Sequence, residues 1–185
     1  MRVATQRVYA SGWFRLNLSI GGTRVTSGNP TNSDAERATR ELYERLIEAW
    51  NKRNARDFAL AFASNGSIVG FDGSQVDGQL EIGAHISEVV SHHQTAAFVT
   101  IVREVRSLSS DVTLLRANAG MIPPGKDELN PDLNAVQSMV AARKNNKWEI
   151  ALFQNTPAKY DGRPQLQKEL TEELRAVVRE KPARE

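Results

Sequence analysis

LNAVQSMVAARKNNKWEIALFQNTP, residues 133–157, carries two β-rich runs on either side of Asn145-Asn146 and ends at a proline. Two such runs joined by two residues that tolerate positive φ predict an antiparallel hairpin with a two-residue turn. Placing Lys144 opposite Lys147 sets the rest of the ladder. Arg143 then faces Trp148, Ala141 faces Ile150, Met139 faces Leu152 and Gln137 faces Gln154, all on one side of the sheet. Asn155 falls on the other side. The shared side is apolar up to its far end, where the two glutamines stand together. Buried amides need partners, so Gln137 and Gln154 either bond each other and close the core or meet a ligand on a cavity wall.

Working outward, "AAFVTIVREVRSL" (96–108) and "DVTLLRANAGMIP" (111–123) extend the hairpin into a four-stranded antiparallel meander, in which Arg116 opposes Glu104 as an ion pair. Helical spacing dominates the chain before the meander. Asn32 and Ser33 are capping types, and Leu42, Leu46, Ile47 and Trp50 trace one face of a first helix over 33–53. Asn54 caps a second, "ARDFALAFAS", that Asn65-Gly66 ends, and "SIVGFD" reads as a strand. A third helix follows a short extended piece, with Ile82, Ile86, Val89, Val90 and His93 on one face. Pro164 opens a last helix whose stripe of Leu166, Leu170, Leu174, Val177 and Val178 must be buried on this domain or on a partner. Helices first and a bent antiparallel sheet after them predict an α+β fold with a wedge-shaped core and a cavity between sheet and helices.

The 185 residues fit one domain, read as an extension over 1–32, a domain over 33–180 and a tail over 181–185. The formal charge of +2 comes from the extension: Arg2, Arg7, Arg15 and Arg24 stand there without an acidic residue, leaving −2 on the rest. Such a body has no clustered basic face, so nucleic acid is not an expected partner, and no run is long enough to span a membrane. The chain has no cysteine, which removes disulfides and thiolate chemistry and fits a cytoplasmic setting. G-x-G-x-x-G, P-loop, G-x-S-x-G and H-E-x-x-H signatures are missing, so no nucleotide, nicotinamide, serine-hydrolase or zinc-protease reading has its local parts, and no cofactor or metal is expected.

Few titratable groups remain near the expected cavity. Asp72 is a candidate base, although Asp-Gly is first of all turn chemistry. His85 borders the apolar face of the third helix and is a candidate proton carrier or a satisfied structural histidine. His92 and His93 diverge on a helix with no acidic residue spaced to join them as metal ligands. Tyr43, Trp50, Phe71, Asn118, Gln137, Met139 and Gln154 make up the expected ligand-facing set.

The blocks "FDGSQVDG", "LLRANAGMIPPG", "LNPDLNAVQ", "WEIALFQNTPA", "GRPQL" and "LTEELRA" give the chain from about Ala35 to Ala176 a likeness to a known family. It resembles the SgcJ/EcaC family of the nuclear transport factor 2-like (NTF2-like) superfamily, neighbouring SnoaL-like and ketosteroid-isomerase-like proteins. The resemblance implies a cone-shaped α+β fold, a strongly curved sheet wrapped on N-terminal helices, a deep cavity, and a homodimer through the sheet. Family members occur in actinobacterial natural-product clusters. The expected function is therefore a small-molecule pocket that binds or transforms an apolar polyketide- or polyene-like metabolite. As an enzyme it would be a cofactor-independent isomerase, cyclase or dehydratase using Asp72 or His85. The alternative is a non-catalytic association module like the kinase association domains of the same superfamily. A nucleic-acid or phosphate binder acting through the arginine-bearing extension is a third class, testable by salt dependence.

Overall fold

The hairpin forms where expected: Asn145 and Asn146 both take left-handed backbone angles, φ 50° and 63°, as a two-residue turn between right-twisted strands requires. A computed structural model describes residues 30–180. Most of the expected extension and all of the 181–185 tail lie outside the described residues. Within them the order is α1 (Pro30–Asn51), α2 (Ala55–Leu60), β1 (Phe62–Val69), β2 (Gln75–Asp77), α3 (Gln79–His92), β3 (Ala97–Ser107), β4 (Val112–Ile122), β5 (Asn130–Lys144), β6 (Lys147–Pro157) and α4 (Pro164–Glu180). One six-stranded sheet runs β2-β1-β6-β5-β4-β3. Its meander is antiparallel, and β1 joins β6 in parallel. The fold is α+β, with a curved sheet, three helices on its concave face and a C-terminal helix on the other.

Two boundaries differ from the sequence reading. α1 starts at Pro30, three residues early, because a proline in the first turn gives up an N–H that has no partner there anyway. α2 stops after Leu60, and the strand expected from Ser67 already begins at Phe62, so "FAS" (62–64) is strand rather than helix and Asn65-Gly66 lies within the strand. Ala and Phe tolerate a helix there, but pairing with β6 places the Phe62 ring in the core at 0% exposure, and this tertiary contact overrides local preference. Asn54 does cap α2, its Oδ1 accepting from the Asp57 N–H at 3.0 Å.

The register of β5 and β6 also changes part-way. Ala141 faces Ile150 and Arg143 faces Trp148, as expected, but a bulge between Val140 and Ala141 leaves Ala151 as the extra residue on β6. Beyond it Met139 faces Phe153, Ser138 faces Gln154, and Gln137 faces Asn155. One inserted residue turns every later side chain of β6 to the other face. Phe153 becomes buried, Leu152 half-buried on the convex side, Gln154 exposed and Asn155 buried.

Two cores result. The main one lies between the concave face and α1, α2 and α3, built on Leu46, Phe62, Ile82, Leu115, Met139 and Ile150. The smaller one lies under α4, where Leu170 and Leu174 pack on Val99 and Leu129. Leu170 and Leu174 of the last helix's stripe are thus buried on this domain and Val177 and Val178 partly so, while Leu166 stays exposed. Asn51, at the end of α1, pins the edge strand β3: its Oδ1 accepts from Phe98 N–H at 2.7 Å and its Nδ2 donates to Phe98 O at 3.0 Å. The amide takes the place of a neighbouring strand and holds α1 over the sheet.

Candidate functional site

Helices α1, α2 and α3 do not fill the concave face. A cavity of about 280 Å³ stays open between them and the sheet. Its walls are aromatic and aliphatic, among them Trp50, Phe58, Phe98, Phe153, Ile86 and Val89. The rings interlock, with Trp50 centred 5.4 Å from Phe98 and 6.0 Å from Phe58 in tilted arrangements, the geometry that ring quadrupoles prefer. Trp50 is fixed further by its Nε1–H, which donates to Ala96 O at 2.9 Å.

Four polar side chains reach this space: Asp72, Ser74, His85 and Asn155. Three belong to its more exposed side. Asp72 is exposed and closes the turn between β1 and β2, where Gly73 takes φ 87°. Its Oδ1 accepts from Ser74 Oγ at 2.7 Å and from Ser74 N–H at 3.0 Å. Those bonds, the hydroxyl's first, hold the Asp72 carboxyl below its usual range, and the His85 charge adds a little in the same direction. A carboxylate stabilised in this way is a weak base. His85 is half-buried on α3 and its ring makes no hydrogen bond with the described residues.

The fourth polar group is built differently. Asn155 is 6% exposed and sits at the end of a directional chain. The Tyr43 hydroxyl donates to Gln137 Oε1 at 2.5 Å, and Gln137 Nε2 donates to Asn155 Oδ1 at 3.1 Å. Tyr43 and Gln137 are 1% and 0% exposed, so each depends on the other for satisfaction. Burial pushes the Tyr43 phenol far above its ordinary value, against a smaller opposing effect of the Thr100 hydroxyl, and keeps it a donor. With its oxygen engaged, Asn155 has only its Nδ2–H groups left for the cavity. They donate to nothing among the described residues and are not sealed off from the cavity.

Of the residues singled out from sequence, Trp50, Phe71, Asp72 and His85 line the cavity. Tyr43 and Gln137 stand behind it and act through Asn155. Met139 is core at 0% exposure. Asn118 lies on the convex face, where its Oδ1 accepts from Arg103 Nε at 2.6 Å and Arg103 also pairs with Glu173 of α4. Gln154 is exposed on that same face and donates to Thr156 Oγ1 at 3.0 Å. The amide that meets Gln137 is Asn155, because of the Ala151 bulge. The Arg116–Glu104 pair forms as expected, Nε to Oε2 at 2.8 Å. Among the described residues no cluster of three or more His, Asp or Glu is arranged to hold a metal, and no helix is long and apolar enough to cross a membrane.

This architecture recurs in solved structures. A domain of unknown function with a cystatin-like fold from Nostoc punctiforme PCC 73102 overlays with a TM-score of 0.66 at 21% identity, covering 80% of this chain and 98% of that one. The fold is cystatin-like. A putative calcium/calmodulin-dependent protein kinase type II association domain from Thiobacillus denitrificans ATCC 25259 gives 0.58 at 11% identity, over 65% and 94% of the two chains. A ketosteroid isomerase-like protein from Erwinia carotovora atroseptica SCRI1043 gives 0.55 at 12%, over 68% and 98%. Proteins described as NTF2-like, from Pseudomonas putida KT2440 and Shewanella oneidensis MR-1, are among the further matches at 16% and 12% identity, so the α+β fold expected from sequence is present. No family model matches the chain, and no curated protein matches it in sequence. These likenesses establish the fold and leave its use to the site.

Proposed function

We propose that this protein binds a small apolar molecule, of the polyketide or polyene kind, in the cavity beneath α1 and α3. The observation that carries the reading is the open cavity. Trp50 and Phe71 stand in its wall without occupying it, Met139 packs beneath it in the core, and a buried amide faces it with unused donors. A vestigial pocket in an association module would be filled by such side chains, whereas apolar walls with a few convergent polar groups are the usual makeup of a ligand site. In a proton-transfer reaction of the isomerase, cyclase or dehydratase type, His85 rather than Asp72 is the carrier. Its ring is free, while the Asp72 carboxylate is held by Ser74. No cofactor enters this scheme.

The protein acts as a homodimer through the part of the convex sheet face that α4 leaves bare. Val136 is 40% exposed there, with Leu114, Val140 and Leu152 half-buried beside it. The same bare face, and the likeness to a putative kinase association domain, are what favour the second reading, a non-catalytic association module.

Native mass spectrometry of the purified protein, with denaturing extraction of whatever it retains, tests both parts together. The expected result is a dimer carrying a small apolar compound, and loss of that compound in Val89→Trp, which fills the cavity from α3 and leaves thermal stability equal or higher. An empty dimer that apolar compounds do not stabilise would move the assignment to the association module. A monomer would overturn the dimer.

A further inference from the structure

Three neighbouring positions in one row across the sheet place a donor and an acceptor on either side of a glycine in the cavity wall. We infer that the ligand carries a hydroxyl group, seated over Gly70, which accepts from Asn155 Nδ2 and donates to Ser74 Oγ. This rests on the cavity being a ligand site and adds the functional group that it reads.

The row follows from the register. Val69 pairs with Gln75 in the antiparallel sense on one side and with Gln154 in the parallel sense on the other, so the next residue, Gly70, stands between Ser74 and Asn155. Gly70 N–H donates to Ser74 O at 2.8 Å. Two residues earlier on the same strands, Ile68 and Phe153 are a buried pair in the cavity wall, so Gly70 and Asn155 share that face. Gly70 brings no side chain to the row. A Cβ there would lie 2.6 Å from Ser74 Oγ and 2.8 Å from Asp72 Oδ1. The two oxygens thus lean over the glycine from the side opposite Asn155, a close approach that the missing Cβ permits. Adjacent strands are about 4.8 Å apart. One hydroxyl oxygen covers that span with a bond of about 2.8 Å to each side.

The two sides are opposite in sense. Asn155 Oδ1 accepts from Gln137 Nε2 at 3.1 Å, while its Nδ2–H groups have no partner among the described residues, so this buried amide offers the cavity donors only. Ser74 Oγ gives its proton to Asp72 Oδ1 at 2.7 Å. The Asp72 carboxyl, held below its usual range by the Ser74 bonds, has no proton to return, so Ser74 Oγ offers lone pairs only. A ligand hydroxyl satisfies both sides with one atom. A ketone oxygen in the same seat accepts from Asn155 but turns its lone pairs against those of Ser74 Oγ. The ligand's body follows from the walls: an apolar framework against Trp50, Phe58 and Phe98.

The test titrates the full chain by calorimetry with three probes of one shape: 1-(2-naphthyl)ethanol, 2-acetylnaphthalene and 2-ethylnaphthalene. The alcohol should bind about fivefold tighter than the ketone, the worth of one further hydrogen bond. Two variants locate the seat through the alcohol-to-ketone ratio. Gly70→Ala sets a methyl group where the ligand hydroxyl lies and displaces both oxygens, and the ratio should fall to about one. Ser74→Ala removes the acceptor but keeps the backbone N–H bond to Asp72 Oδ1 that holds the turn, and the ratio should fall by half or more. Binding of ethylnaphthalene with the ketone equal to or tighter than the alcohol would overturn the hydroxyl assignment and leave the pocket standing. A ratio unchanged in both variants would overturn the seat over Gly70. Binding of none of the three probes would overturn the pocket reading, and this inference with it.

Discussion

Gln137→Leu should be among the more destabilising single changes in the concave core, through a mechanism that a double-mutant cycle can isolate. Gln137 is 0% exposed and joins the Tyr43 hydroxyl to Asn155. Leucine is close in size, so no large cavity forms, and the cost is the loss of two hydrogen bonds. Two outcomes differ in severity. The Tyr43 hydroxyl, 1% exposed, loses its acceptor and is left with only the Thr100 hydroxyl beside it, at about 1–3 kcal/mol. Asn155 Oδ1 borders the cavity and recovers part of its loss from water, at about 1 kcal/mol. Added apolar contact from leucine returns a fraction of this, leaving about 2–3 kcal/mol. For a domain of this size that lowers Tm by roughly 4–12 °C. Tyr43→Phe alone should cost about 1–2 kcal/mol, since it removes one hydroxyl and orphans Gln137 Oε1. In the double variant neither group is left unpaired across that bond, so its cost should fall short of the sum by about 1–2 kcal/mol. Urea denaturation at one protein concentration measures all four corners; concentration must be held because association shifts apparent stability. Additivity within about 0.3 kcal/mol would refute the relay and, with it, the assignment of Asn155 as a one-way donor.

Two further outcomes follow from the same groups. Burial raises the Tyr43 phenol above its ordinary value of 10.0, so the folded state keeps a proton that the unfolded chain releases. The corresponding stability is fully present below pH 10.0 and is lost progressively as pH rises from there toward the raised value of the folded state. Denaturation midpoints should therefore fall more steeply above that pH in the wild type than in Tyr43→Phe, and parallel curves would contradict the burial of a protonated phenol. Asp72→Asn keeps an oxygen for Ser74 and so keeps the turn; apolar ligand affinity should stay within about twofold by calorimetry, and a loss of binding would make Asp72 a ligand contact rather than a turn residue.

What the sequence determined by itself is the part of the structure built from local, repeated signals. Period-two alternation over four runs, the Asn145-Asn146 turn, the capping Asn54 and the stripe of α4 each act within a few residues, so element order and an α+β class were legible before any tertiary contact. The ion pair of Arg116 with Glu104 was legible too, because a short hairpin loop transmits register faithfully. The site was not legible in the same way. Residues 150–155 contain Leu152 next to Phe153 and Gln154 next to Asn155, so either alternation buries one large apolar residue and one amide. Only the closed sheet decides between them: β6 must pair with β5 on one side and run parallel to β1 on the other, and the bulge at Ala151 turns Phe153 and Asn155 inward. The strand nature of "FAS", at the start of β1, was hidden for a related reason, since Phe62 belongs to a sheet only because Ile150 lies beside it. Tyr43, remote in sequence from both amides, becomes their partner by the packing of α1 across the sheet. Periodicity tells which residues share a face. It does not tell where a strand under curvature inserts one extra residue, and here that single residue chooses the side chain that faces the cavity.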